Sequence, residues 1–357
     1  MNIPSASNNK PPDTTKRHIH RPFVRPAVLL ATGGLLISVC LGCRHDAHNG
    51  HPATKAIDYS AVDTPGFNAD SAYHYVAQQV AFGPRTPGSD SHRRCAEYLT
   101  ATLQRWCDTV VVQPFTTTLW DGRTVKGRNI IASLNKDLGK RILLAAHWDS
   151  RLWADHDSDD RQHRQPIDGA NDGASGVGVI LELARCMSQA PPSIGIDFIL
   201  FDVEDQGSPE WADAHDSDTW CKGSQYWAQH PHQPYYSALY GILYDMVGTP
   251  KPRFTQEEIS RQFASTTLNK VWDVASALGY GNIFLNQKTE PILDDHYYIN
   301  RMANIPTIDI VQNSEGYSFF PHWHTTSDNL DCIDSTTLKI VGSVTLKTIY
   351  GDYPSDK

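Results

Sequence analysis

Ile142-Leu-Leu-Ala-Ala-His147 decides how this chain folds. Five apolar residues follow one another without the alternation of a half-exposed strand. Such a run reads as a strand buried on both faces, the habit of parallel sheets covered by helices. Working outward, residues 196–201 and 240–244 repeat the short apolar run, and 305–311 reads as a further strand. Upstream, 110–115 and 129–134 also read as strands. Helical spacings lie around them. Tyr73, Val76 and Val80 mark a helix from Asp70, stopped by Gly83-Pro84, and Cys95, Leu99, Leu103 and Trp106 mark one over 91–107. Residues 174–187 place Val177, Ile180, Leu181 and Ala184 on one face. Residues 263–278 form a helix ended by Gly279, and 335–350 a closing one. Strands alternating with helices predict a single α/β domain with a mainly parallel central sheet flanked by helices.

In open α/β sheets, sites form just beyond the carboxyl ends of the strands. His147 follows the first run, Asp202 and the pair Glu204-Asp205 follow 196–201, and Asp245 follows 240–244. Asp172 lies in Gly169-Ala-Asn-Asp-Gly-Ala-Ser-Gly176, ahead of a helix, where small residues let the backbone crowd a metal or substrate. A single Asp at a strand end is usually a turn former or helix cap. An acid or histidine at each of these strand ends is harder to explain that way. His322-Trp-His-Thr325 and Asp294 add to the set. So many acids in one place need a cation or shared protons.

The neighbours Glu204 and Asp205 point apart, so one can bind metal while the other serves as general base and acid. His324 supplies a nitrogen; zinc takes mixed nitrogen and oxygen ligands and keeps a position open. Two carboxylates, Asp172 and Asp205, with a neutral His324 match the charge of one Zn²⁺. Asp245 and Asp294 are then expected to share a proton, unless a second zinc sits there.

The 357 residues are 40% hydrophobic, ordinary globular composition. Net charge is −9, yet residues 1–43 carry Lys10, Lys16, Arg17, Arg21 and Arg25 against Asp13 alone. The body is therefore the more acidic part, which argues against nucleic acid as a partner. The basic lead and the apolar run from Pro26 to Cys43 predict an export signal, directing the chain to the periplasm. Its rival is an uncleaved membrane anchor. Leu41-Gly42-Cys43 resembles the end of a bacterial lipoprotein signal with Cys43 lipidated, although Cys40 stands where such signals place Leu. Residues 44–65 are polar, with Pro and Gly, and read as a tether, leaving 66–357 as the catalytic domain. Cys95 and Cys107 on one helix would sit about 18 Å apart, too far to bridge.

His147-Trp-Asp149, Gly169-Ala-Asn-Asp-Gly, Glu204-Asp205, Tyr244-Asp-Met-Val-Gly248 and Trp323-His-Thr325 follow the order of the zinc aminopeptidase superfamily. Asp294-Asp295-His296, then Ile305-Pro306 and Trp-His-Thr, resembles its glutaminyl cyclase branch, in particular the bacterial members related to the animal enzymes. The similarity runs from about Gly83 to Asn329. The resemblance implies one zinc on Asp172, Asp205 and His324, with Glu204 as catalytic acid/base. It implies Asp245 and Asp294 as hydrogen-bonded catalytic acids, and Trp323 and Trp211 as pocket walls. Two departures stand out. Asp205 replaces the Glu of animal cyclases, as is usual in the bacterial branch, and Asp309 stands where they place a histidine. The implied substrates are peptides or proteins with N-terminal Gln, cyclised to pyroglutamate with release of ammonia by a chain expected to act as a monomer.

Two other readings share these residues. A two-zinc aminopeptidase would use His147 and Asp245 for one metal, Asp205 and His324 for the other, and Asp172 as the bridge. A non-catalytic peptide-binding lipoprotein could keep the fold, but no proposed catalytic position is missing. The stretch from Asp155 to His163 reads as a solvated loop, and Trp148, Trp153, Trp220 and Trp227 as packing residues.

Overall fold

In the computed structural model, which describes residues 57–313 and 319–355, the Asn68 side chain accepts a hydrogen bond from the Ser71 amide and starts α1 (Ala69–Ala81). Ser89 caps α2 (Asp90–Leu103) in the same way through the His92 amide. There follow β1 (Thr109–Thr118), β2 (Thr124–Leu134), β3 (Arg141–His147), α3 (Ala174–Gln189), β4 (Gly195–Phe201), α4 (Lys222–Gln229) and β5 (Gly241–Asp245). The chain continues through β6 (Phe254–Gln256), α5 (Glu258–Phe263), α6 (Ser265–Ala277), β7 (Phe284–Lys288), α7 (Asp295–Met302), β8 (Thr307–Val311) and α8 (Ser335–Asp352).

Six strands form one sheet in the order β1-β2-β4-β3-β5-β8, with β6 and β7 a separate pair. β4, β3, β5 and β8 run parallel, and β1 and β2 extend the β4 edge antiparallel. The mainly parallel sheet expected from the sequence is present. Every residue of β3 is buried. Ile142, Leu144 and Ala146 enter one core with Val76, Ile180 and Val344, while Leu143 and Ala145 enter another with Trp227 and Ile299. Successive strand residues face opposite sides, so two covered faces produce an unbroken apolar run. α3 lies directly on β5: a Cβ at Gly176 would stand 2.2 Å from the Tyr244 carbonyl oxygen. The one acid inside β4, Asp197, is tolerated because Arg141 pairs with it at 2.8 Å and Ser133 and Tyr236 donate to it at 2.6 and 2.9 Å.

The structure departs from expectation at several ends. The helix predicted over 91–107 stops at Leu103, and Cys107 lies beyond it in a turn closed on the Leu103 carbonyl. The predicted 263–278 helix begins at Ser265, because Ala264 (φ −134°, ψ 34°) leaves helical geometry and breaks it from α5. Helices α4 and α7 escaped prediction, since eight residues each offer too few apolar turns to show a period. The last tether residues are docked rather than free. Tyr59 and Val62 pack against the main core, and Lys347 Nζ donates to the Ser60 and Val62 carbonyls at 3.1 and 2.6 Å. The export signal, Cys43 and the rest of the tether lie outside the described residues. Among those described, no helix is long and apolar enough to cross a membrane.

Candidate active site

Three parallel strands deliver the site at their carboxyl ends. β3 ends on His147 and β5 on Asp245, while the chain leaving β4 turns sharply at Val203, held at φ +58°. That is a left-handed conformation a β-branched residue rarely takes. The turn lets Asp149, two residues beyond β3, accept the Glu204 and Asp205 amides at 3.1 and 3.3 Å and Gln206 Nε2 at 3.0 Å. One buried carboxylate thus clamps the acidic pair. Asp328 does the same opposite, accepting the Asn171 and Asp172 amides at 2.7 and 3.1 Å. Between them the backbone comes so close that only glycine fits at 173. Its φ is +93°, and a Cβ would lie 2.6 Å from the Asp149 carbonyl oxygen and 3.0 Å from the His147 ring. His324 is also left-handed (φ +55°), and its ring stacks on Trp323 with centroids 3.8 Å apart.

These segments bring every ligand expected from the sequence together. His324 Nε2 lies 3.0 Å from Asp205 Oδ1 and 3.6 Å from Asp172 Oδ2. His147 Nε2 lies 3.0 Å from Asp172 Oδ1 and 3.2 Å from Asp245 Oδ1. The two histidines differ electrically. Burial, followed by the Arg151 charge, drives His324 well below its ordinary value, leaving the neutral imidazole that binds metals. Burial also opposes charge on His147, but hydrogen bonds to Asp149, Asp172 and Asp245 outweigh it and raise that ring. Burial and the facing Asp172 push the Asp205 carboxyl well up, and its Oδ2 is buried without a hydrogen-bond partner. Two confronted carboxylates, an orphaned oxygen and a neutral imidazole fit a zinc ion.

Glu204 sits beside this ligand set. Burial raises its carboxyl well above the ordinary range, with Asp294 and Asp205 adding to the shift, so it can hold a proton and release it. Cys221 Sγ donates to its Oε1 at 3.1 Å. Asp245 is pushed up to about 7 by burial and by Asp172. Asp294 caps α7 and is raised by burial. The acid network continues inward to Asp309 on β8, raised by burial and then by Asp294 and Asp245. His296 lies 3.8 Å from Asp309 and 3.3 Å from Glu257, so an imidazole stands near Asp309 although position 309 itself is not histidine.

A cleft of about 310 Å³ opens over these groups. Asp172, Glu204, Asp205, Asp245, Asp294 and His324 form its polar floor, and Trp220, Met246, Ile292, Leu293, Phe319 and Trp323 its apolar walls. Trp211 is not among the lining residues. It packs edge-on against Trp153 at 6.3 Å with Arg164 over its face. The second aromatic wall is Trp220, parallel to the His324 ring at 6.0 Å, which sequence reasoning assigned to packing. Both tryptophans sit in the same long loop, and nothing in their spacing tells them apart. Asp155, read as part of a solvated loop, is buried and takes a two-pronged grip from Arg151, with both bonds at 2.6 Å. Asp202, grouped with the site acids, instead pairs with the buried His92 at 2.9 Å and accepts the Arg128 amide at 2.6 Å. His322 is exposed. Asp149 was within sight, two residues after His147, whereas the part played by Asp328 had no signal in the sequence.

The chain is similar to known proteins in sequence and fold. A solved Zn-dependent exopeptidase from Parabacteroides distasonis is 48% identical, with a TM-score of 0.80 over 81% of this chain and 99% of that one. A glutaminyl cyclase from Bacteroides thetaiotaomicron, solved bound to N-acetylhistamine, is 47% identical at a TM-score of 0.80 over the same 81% and 99%. The glutaminyl-peptide cyclotransferase of Dictyostelium discoideum is 24% identical over 246 residues, 62% of this chain and 62% of that relative's length. The chain therefore spans less than two thirds of that curated relative. The pattern of peptidase family M28 matches residues 129–349, a span running from β2 into α8 and holding every ligand-bearing segment described above. The chain belongs to peptidase family M28.

Proposed function

We propose that the protein is a zinc-dependent glutaminyl-peptide cyclotransferase, converting the N-terminal Gln of peptides or proteins to pyroglutamate and releasing ammonia. The observation that carries this reading is the placement of His147 Nε2 between Asp172 and Asp245, at 3.0 and 3.2 Å. The hydrogen bond from His147 to Asp245 keeps both out of the metal set, and Asp172, Asp205 and His324 hold a single zinc. The 47% identity to a bacterial glutaminyl cyclase across almost all of that chain supports the same choice.

Zinc bound there would supply Lewis-acid polarisation of the substrate's γ-carboxamide. The protein's own groups do the rest. The apolar walls Trp220 and Trp323 hold the short glutamine side chain and keep water from the carboxamide. The peptide's neutral α-amine attacks the carboxamide carbon and closes a five-membered ring, and both reactants belong to one molecule. Glu204 takes the proton from that nitrogen and passes it to the departing amide nitrogen, which leaves as ammonia. Asp149 keeps Glu204 and Asp205 in register through their amides.

A second reading, a two-zinc aminopeptidase, is favoured by one fact. Ligand atoms of His147, Asp172 and Asp245 lie within 4.8 Å of one another and could hold a second ion. The test is incubation of the zinc-loaded protein with a Gln-initiated peptide, followed by mass spectrometry. Loss of ammonia is expected, and its absence together with hydrolysis of a Leu-amide substrate would establish the second reading instead. We also infer that residues 1–43 direct export, with Cys43 as the lipidation site. Loss of membrane association on Cys43→Ala, with export retained, is the expected result, and unchanged association would argue for an uncleaved anchor.

A further inference from the structure

We propose that Arg151 is a positioning residue that ties the zinc ligands to the aromatic wall of the substrate cleft. Its guanidinium is buried, at 1% exposure, and all three of its nitrogens are used. Nε and Nη2 grip the two oxygens of Asp155 at 2.6 Å each. Nη1 donates to the Asp205 carbonyl at 3.1 Å and reaches its Oδ1 at 3.5 Å. The flat face lies 4.7 Å from the Trp220 ring centroid, a distance at which a guanidinium is attracted to the ring. Asp155, fixed by this grip, faces the back of the other ligand, with its Oδ1 3.6 Å from His324 Nδ1.

One planar cation therefore touches Asp205 directly, reaches His324 through Asp155, and supports Trp220. Trp220 in turn lies parallel to the His324 imidazole. Groups behind metal ligands fix their orientation, and removing them typically weakens metal affinity about 10- to 100-fold. Lysine cannot substitute here, because an ammonium has neither the fork for Asp155 nor the flat face for Trp220.

The zinc half of this proposal needs only the ligand set, whereas the substrate half rests on the cyclotransferase reading. The experiment separates them by measuring zinc affinity by competition with a chelator, and kcat and KM in zinc-saturated protein, for Arg151→Lys, Asp155→Asn and the double variant. Circular dichroism checks that each is folded. Zinc affinity is expected to fall about 10- to 100-fold in each single variant and scarcely further in the double one, because both changes break the same bracket. KM for the Gln peptide should rise several-fold in Arg151→Lys, more than kcat falls, as Trp220 loses its support. Folded single variants that bind zinc as the parent does, or a double variant whose loss is the sum of the two, would overturn the bracket. Weakened zinc binding with an unchanged KM would overturn the link to Trp220. No activity in the parent would count against the cyclotransferase reading and leave the zinc result standing.

Discussion

His147 Nε2 lies 3.2 Å from Asp245 Oδ1, a hydrogen-bond distance between two buried groups. With burial and Asp172 raising the Asp245 carboxyl to about 7, and the surrounding carboxylates raising His147, the pair is suited to sharing protons. Elemental analysis should therefore find one tightly bound zinc per folded chain. Asp245→Asn should leave that number at one. Two ions in the parent, dropping to one in the variant, would transfer the pair to a metal-binding role.

Glu204 is the only acid of the adjacent pair left over once Asp205 takes the metal. Glu204→Gln keeps the shape and removes the proton carrier, so turnover should fall about 10²- to 10⁴-fold. Zinc content should stay at the parent level, because the substituted side chain is not a ligand. A variant with parental turnover would remove Glu204 from the reaction.

Trp220 and Trp211 make opposite predictions. Trp220 walls the cleft, so Trp220→Ala should raise KM for a Gln-initiated peptide and cost roughly 1–3 kcal/mol of kcat/KM, the scale of one buried apolar wall. Trp211→Ala, outside the lining, should leave kcat/KM within about twofold. Steady-state kinetics on both variants decides between the two positions, and a larger loss at 211 would reverse the assignment.

Glu257 predicts an acid limb of stability. Burial works to raise its carboxyl, but the His296 ring 3.3 Å away, with the Ser260 amide, holds it at about 2 against an ordinary 4.5. A depressed carboxyl stabilises the fold above its unfolded value, and that contribution disappears as pH falls from about 4.5 toward 2. The amount is on the order of 3 kcal/mol. Glu257 also accepts the Ile292 amide at 3.3 Å, so the cleft wall loosens with it. Chemical unfolding from pH 7 to 3 should show a steeper loss of stability below pH 4.5 in the parent than in Glu257→Gln. Superimposable slopes would show that Glu257 carries no such linkage.

The central sheet was legible because covering both faces of a strand leaves a direct mark on the chain. The run 142–146 cannot alternate when Leu144 and Leu143 enter different cores. Part of the site was legible for a related reason: strand ends expose side chains in one place, so His147, Glu204-Asp205 and Asp245 converge whatever the loops do. Helices α4 and α7 left no comparable mark, being too short to show a period. Trp211 was expected as a wall because the eight residues between it and Trp220 lie in a long connection, where spacing carries no direction.

By itself, then, the sequence determined the sheet, since covered strands follow from local apolar runs, and it brought acids and a histidine to the strand ends. Tertiary structure decided the rest: which tryptophan lines the cleft, that Asp202 pairs with His92, and that Asp149, Asp328 and Arg151 bond to the site's segments. Those assignments depend on bonds between residues up to 157 positions apart and on left-handed turns at Val203 and His324. A linear pattern records which groups are present, while the direction in which each one points is fixed only when distant segments pack against it.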